Sequence, residues 1–225
     1  MRFKDREVAL WVRRERRSRR ITLSLDPAEG TFRLSLPARV PLSEGLAFAE
    51  EKRRWILQQL DGLPPRIPFA PGETVPVLGQ PHVIVHDPAA RRGVWRDAGV
   101  IRVSGFAEHL PRRVRDFLKR EARATLTERA HDKAGRLDRP IARISLRDTR
   151  SRWGSCSSDG GLSFSWRLIL APEEVLDYVV AHEVAHLMHH DHGAKFWALV
   201  TDLTPSVDAP RRWLRAHGPE LHRYG

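Results

Sequence analysis

The sequence predicts an α+β protein with a β-rich amino-terminal region and a second region built largely on helices. Short segments that alternate apolar and polar residues, separated by Gly- and Pro-containing turns, fill most of residues 1–107. After that point, apolar residues recur every three or four positions over longer segments, which is the spacing of a buried helix face. We therefore expect two regions, residues 1–107 and residues 108–225.

The amino-terminal region is expected to contain a hairpin followed by a helix. Residues 20–25 and 31–36 alternate, and Asp26-Pro27-Ala28-Glu29-Gly30 supplies the turn between them. A helix is predicted over residues 43–60, before a Pro-rich break. Further short strands are predicted at residues 74–78, 82–86, 93–96 and 100–103.

The second region is expected to open with a long helix at residues 111–137. Two strands, 141–148 and 161–166, enclose the polar, Gly-rich connection DTRSRWGSCSSDGG. Three more helices are predicted at residues 172–190, 194–203 and 208–217.

Composition excludes several classes of protein. Hydrophobic residues make up 41% and charged residues 30% of the 225 residues, as in globular rather than disordered chains. No apolar run is long enough to span a membrane, and the amino terminus lacks the apolar core of a secretory signal. Cys156 is the single cysteine, so no intrachain disulfide forms, and we expect a reducing, cytoplasmic location. The net charge of +11 favours acidic or phosphate-bearing partners.

The segment HEVAHLMHHDH, residues 182–192, is predicted to form a metal site. His182 and His186 are four residues apart and share one face of a helix, so both can bind one Zn²⁺, with Glu183 as general base. A catalytic zinc takes three protein ligands, and His189 and His192 are the main candidates for the third. We favour His192, because a turn must separate the third ligand from the helix.

Three segments together resemble the YgjP-like metallopeptidase family, a bacterial zincin group related to the WLM and SprT-like proteins. They are DTRSRWGSC at 148–156, WRLILAP at 166–172, and the histidine segment closing on Phe196-Trp197. The dense resemblance covers about residues 141–200. It implies a zincin-like catalytic part, whose His-Glu-x-x-His helix lies under a small sheet, and zinc held by His182, His186 and His192 with Glu183 as base.

The function predicted from these features is a zinc metallopeptidase acting on a peptide or protein. Zinc lowers the pKa of its bound water to about 7, and Glu183 takes the proton as hydroxide attacks a polarised carbonyl. The same water could attack a phosphoanhydride, and some family members are labelled nucleotide pyrophosphatases, which makes that activity the first alternative. A nucleic-acid-binding module with a non-catalytic zinc site is the second.

The polar connection before the metal helix contains two arginines with a candidate catalytic role. Arg150 or Arg152 is placed to stabilise an oxyanion or a phosphate oxygen, although structural ion pairs would also explain them. A nucleotide site would need Arg167 to converge with them, and Trp153 or Trp166 to stack on the base.

Other features leave alternatives open. Cys156 is a further metal ligand or a small packed side chain, and Tyr178 polarises a carbonyl or packs. A peptidase cleft needs a free strand edge, which residues 153–157 or 161–165 would supply. The arginine-rich run at residues 12–20 contacts nucleic acid or another anion, or is a basic strand edge that discourages pairing.

Overall fold

The computed structural model describes residues 2–3, 6–26, 30–63, 65–149 and 152–225. It confirms the predicted α+β class, with strands concentrated in the first half of the chain and helices in the second. Two compact units divide the chain, Met1–Pro65 and Arg66–Gly225. The boundary predicted between residues 107 and 108 marks a change in the kind of structure, and as a domain boundary it stays a prediction.

The described residues of the first unit form five strands and two helices. The strands are β1 (Arg2–Phe3), β2 (Arg6–Glu7), β3 (Leu10–Glu15), β4 (Thr22–Asp26) and β5 (Thr31–Pro37), and the helices are α1 (Leu42–Glu51) and α2 (Arg53–Asp61). The three longer strands form a sheet in the order β3-β5-β4, with β3 parallel and β4 antiparallel to β5. The β4–β5 hairpin is as predicted, although turn residues 27–29 lie outside the described residues. The predicted helix at 43–60 is instead two helices, because the chain turns at Lys52.

The helices of this unit cover one face of its sheet. Strand β5 alternates the buried side chains of Phe32, Leu34 and Leu36 with exposed or half-buried ones. Helix α1 approaches so closely that a Cβ on Gly45 would lie 2.5 Å from Leu36 Cδ2. The alternation of the strand therefore directs the remaining side chains to the opposite face.

The second unit contains seven strands and four helices among its described residues. A four-stranded sheet has the order β6-β7-β9-β8 and consists of β6 (Thr74–Val77), β7 (Gln80–His86), β8 (Val94–Asp97) and β9 (Val100–Val103). A three-stranded sheet has the order β10-β12-β11 and consists of β10 (Arg143–Arg147), β11 (Gly154–Cys156) and β12 (Gly161–Ser165). The helices are α3 (Leu110–Arg136), α4 (Glu173–Ala185), α5 (Ala194–Leu203) and α6 (Asp208–His217), joined by 3₁₀ turns at Ala107–His109, Trp166–Leu170 and Gly218–Arg223.

Helix α4 lies at the centre of this unit and positions the histidine segment. Most of its side chains are buried in one core that also includes residues of α3 and of both sheets. Its buried Asp177 accepts hydrogen bonds from Lys133 of α3 and from Thr204 at the end of α5. Lys133 Nζ lies 2.8 Å from Asp177 Oδ1, and Thr204 Oγ1 lies 2.9 Å from Asp177 Oδ2. These contacts fix α4 against its neighbours. No helix among the described residues is long and apolar enough to cross a membrane.

The metal helix is shorter than the sequence predicts. It ends at Ala185, with His186 as its capping residue, whereas the expected range ran to residue 190. The amide groups of Leu187, Met188 and His189 turn back to the carbonyls of Val184 and Ala185. This stop allows the chain to reverse before α5.

Candidate metal centre

Three histidines meet where α4 ends and α5 begins. His182 belongs to α4, His186 caps it, and His192 lies in the connection to α5. One ring nitrogen from each lies within 4.8 Å of the others. The Nε2 atoms of His182 and His192 are 3.2 Å apart, close to the separation of about 3.3 Å between two nitrogens that bind one tetrahedral zinc at 2.0–2.1 Å. The donor set and its spacing therefore fit a metal ion.

The backbone orients one of these rings. His186 Nδ1 lies 2.9 Å from the carbonyl oxygen of His189, which accepts a hydrogen bond from an Nδ1–H tautomer and leaves Nε2 to face the other rings. His189 is the other candidate for the third ligand in the sequence analysis. In the structure its carbonyl oxygen bonds the ring of His186. Its imidazole lies outside the cluster found among the described residues.

An aromatic side chain of α5 supports all three rings. The fully buried ring of Phe196 has its centroid 4.9 Å from His182, 4.5 Å from His186 and 4.7 Å from His192. Trp197 packs beside His182 and His192 at 5.8 Å and 5.9 Å. In the sequence, Phe196 and Trp197 are noted only as part of the family resemblance. No pattern in the neighbouring residues predicts which histidine rings they contact.

Burial keeps two of the three imidazoles in the form that binds metal. Burial first, and then the neighbouring imidazoles, lower the pKa of His182 to about 4. Burial also lowers the pKa of His186. Both rings are therefore neutral at pH 7, as a metal ligand must be.

Glu183 lies beneath the sheet with its carboxyl group almost fully buried. A Cβ on Gly154 of β11 would lie 2.5 Å from Glu183 Cγ and 2.6 Å from its Oε1, so the carboxyl group occupies the space that a side chain would fill. Burial raises the pKa of Glu183 to about 7, and the nearby charge of Arg152 opposes this rise. A carboxylate with such a pKa can both take and return a proton near neutral pH.

The arginines considered from the sequence lie in different settings. Arg150 lies outside the described residues, and Arg152 is exposed and close enough to affect Glu183. Arg167 is buried in a structural role: its Nε donates to Asp148 at 2.6 Å, and its Nη1 donates to the carbonyl of Tyr224 at 2.8 Å. The convergence of Arg167 on the metal that a nucleotide site would need is therefore not observed.

The two tryptophans suggested as a base-stacking surface are already packed. Trp153 stacks on His222 with ring centroids 5.3 Å apart, and Trp166 is buried under the guanidinium of Arg167. Cys156 is half-buried, its thiol pKa is raised by burial, and it is not in the histidine cluster. Tyr178 is buried with its ring 6.0 Å from that of His182.

The sheet above α4 has a free edge on the side of the metal centre. Within the described residues, β12 pairs with β10 on one side and β11 on the other, whereas β11 pairs with β12 alone. Of the two segments expected to offer an edge, residues 161–165 are therefore interior, and that part of the expectation is wrong. Gly154–Cys156 forms the edge strand and lies directly over Glu183.

A histidine triad at the end of a His-Glu-x-x-His helix, whose buried glutamate lies under a small sheet, is the arrangement of a metal-dependent hydrolase of the zincin type. The YgjP-like metallopeptidase domain model matches residues 19–217, and the chain belongs to this family. Family membership makes it a metallopeptidase, a hydrolase that requires a divalent metal and acts on proteins or peptides.

Among solved structures, the crystal structure of the metallopeptidase zymogen of Pyrococcus abyssi abylysin is similar to part of the chain. The two share 26% sequence identity with a TM-score of 0.35, over 42% of this chain and 91% of that one. No curated protein matches the chain.

Proposed function

We propose that the protein is a zinc metallopeptidase in which His182, His186 and His192 hold the metal and Glu183 is the general base. The observation that carries this proposal is the three-imidazole cluster at the end of the helix whose Glu183 has a buried carboxyl group with a pKa of about 7. Zinc bound there would lower the pKa of a coordinated water to about 7 and polarise the carbonyl of the peptide bond.

Glu183 is assigned two proton transfers. It accepts the proton of the attacking water, and the same carboxyl group then donates it to the departing amine. Because its pKa is about 7, neither transfer is strongly uphill near neutral pH. The carboxyl group is buried against Gly154, which limits both its movement and its contact with bulk water.

Arg152, and Arg150 on the sequence alone, are proposed to stabilise negative charge on the substrate oxygen. The charge of Arg152 reaches Glu183, which supports a position at the border of the site. We assign the substrate's main chain to the free edge of β11, where an extended peptide would add as a further strand. The single cysteine supports a reducing, cytoplasmic location for this activity.

The proposal is tested by separating metal binding from proton transfer. Glu183→Gln should retain zinc and lose cleavage of a denatured protein by about 10²–10⁴-fold. His192→Ala should lose zinc, whereas the matched variant His189→Ala should retain it, because only the carbonyl of His189 contacts His186. Zinc is measured by elemental analysis and cleavage by gel or peptide release. Full activity in Glu183→Gln, or zinc loss in His189→Ala alone, would contradict the assignment.

The nucleotide alternative is decided in the same preparation. Arg167 is buried and bonded to Asp148, and Trp166 is buried. Neither side chain is therefore available to bind a triphosphate or to stack on its base. Cleavage of a nucleoside triphosphate but of no peptide, together with its loss in Arg152→Ala, would replace the peptidase proposal by pyrophosphatase activity.

A further inference from the structure

Among the described residues of the first unit, the β3-β5-β4 sheet has an open face that the peptidase function does not use. Phe32, Leu34 and Leu36 of β5 point toward the helices, so the residues between them point away. The register pairs Trp11 with Arg33 across β3 and β5, and Arg33 with Ser24 across β5 and β4. Trp11, Arg33 and Ser24 therefore form one row across the open face.

Trp11 is unusual on this face because it is a large apolar side chain left in water. It is 69% exposed, on the side of the sheet opposite the hydrophobic core. Arg13 lies two residues further along the same strand and face, about 6.6 Å away at the usual strand rise. Arg13 Nε lies 3.4 Å from the carboxylate of Glu15 on the same face, so Arg33, directly across the strand, is the cation presented beside the indole.

Positive charge is concentrated in the strand segments of this unit rather than in its helices. Residues 10–26 and 30–37 contain seven arginines and two carboxylates, whereas the helical segment 42–61, which covers the other face, contains three cations and four carboxylates. Four of these seven arginines are exposed in the connection from β3 to β4, at the end of the sheet: Arg16, Arg17, Arg19 and Arg20. Arg14 is different, because its guanidinium donates to the carbonyls of Ala38 and Val40 and serves the fold.

We propose that this open face of β3, β5 and β4 binds single-stranded nucleic acid, with Trp11 stacking on a base and Arg33 and the 16–20 arginines contacting phosphates. Single strands expose the faces of their bases, which stack on aromatic side chains, while a cationic surface follows the backbone. A duplex hides those faces, and the carboxylate side chains that make a polypeptide acidic offer no ring to stack on Trp11. The exposed indole thus favours a single strand over either alternative.

The test uses the full-length, zinc-loaded protein and a fluorescein-labelled oligothymidylate in fluorescence anisotropy. Trp11→Ala should weaken binding by about 5- to 150-fold, the loss of one base–aromatic stack, while Trp11→Phe keeps most of the affinity. Arg33→Ala should reduce the slope of log K against log salt by about 0.7.

Two control variants remove an arginine and an aromatic ring from positions outside the proposed binding face. Arg54→Ala removes an exposed arginine from α2, and Phe106→Ala removes an exposed aromatic from the second unit. Both should leave binding unchanged. Equal losses in the control variants, absence of binding at low salt, or equal affinity for a blunt duplex would overturn the proposal. Displacement by polyglutamate of matched charge would also overturn it, because the surface would then recognise negative charge alone.

Discussion

Replacing Gly154 by alanine is expected to disable Glu183 while leaving the histidine cluster intact. An ideal Cβ at residue 154 would lie 2.5 Å from Glu183 Cγ, 2.6 Å from Oε1 and 2.8 Å from Cδ. Non-bonded carbon atoms are normally about 3.5–4.0 Å apart, so the overlap is about 1 Å. Because α4 is packed on all sides, the carboxyl group rather than the helix must move.

The size of the effect follows from that displacement. A misplacement of about 1 Å at a reacting group costs on the order of 10²-fold in rate, and an overpacked site costs about 1–3 kcal/mol in stability. We therefore expect Gly154→Ala to lower kcat/KM on a peptide by about 10²-fold and to lower the free energy of unfolding modestly. Zinc content should stay at one equivalent, because the new methyl group faces Glu183 and not the imidazoles.

A second glycine provides the matched control. Gly135 of α3 has nothing within 4 Å of an added Cβ, so Gly135→Ala should be fully active and more stable by about 0.5–1 kcal/mol. The assay combines peptide cleavage, zinc analysis and urea denaturation on both variants. If Gly154→Ala retains wild-type kcat/KM with bound zinc, the positioning of Glu183 by this strand is refuted. Loss of zinc in the same variant would show instead that the methyl group disturbs the metal centre.

Three further predictions concern the support of the site. Phe196→Ala should weaken zinc binding by about 10–100-fold in a chelator competition, because the ring that orders three imidazoles is lost. Asp177→Ala should lower the free energy of unfolding by about 3–5 kcal/mol in urea, because Lys133 is left buried without its carboxylate. In metal-free protein, Glu183→Gln should raise the free energy of unfolding above pH 7 by about 3 kcal/mol, since burial raises the pKa of that carboxyl group from 4.5 to about 7.

The sign of the last prediction follows from linkage. The folded state binds the Glu183 proton more tightly than the unfolded state, so this group's contribution is fully present below pH 4.5 and is lost as the pH rises through 7. The increase in the free energy of unfolding of Glu183→Gln should therefore vanish at low pH, and an increase independent of pH would contradict the prediction.

For Phe196, the exposed Phe106→Ala is the control, and equal zinc affinity in both variants would contradict the role of the ring. For Asp177, a double variant with Lys133→Met should recover much of the loss, and no recovery would exclude the stranded charge as its cause.

The sequence determined those features that depend on residues close together in the chain. The i, i+4 spacing places His182 and His186 on one helix face, and the alternation of residues 20–25 and 31–36 produces the β4–β5 hairpin. The family resemblance, carried by short contiguous segments, is confirmed by the match over residues 19–217. Local periodicity is sufficient for the histidine pair and the hairpin, because the residues that interact lie close together in the chain.

Only the tertiary structure decided which distant groups meet. The sequence favoured His192 over His189 by a turn argument, and the fold is what brings the His192 ring into the histidine cluster. The fold also placed Gly154 against Glu183, 29 positions along the chain. It also assigned Arg167 to Asp148 and the carboxyl-terminal carbonyls, and the interior of the sheet to β12. No periodicity records these contacts, because each depends on how separate elements pack and on the desolvation that packing imposes, the same burial that raises the pKa of Glu183.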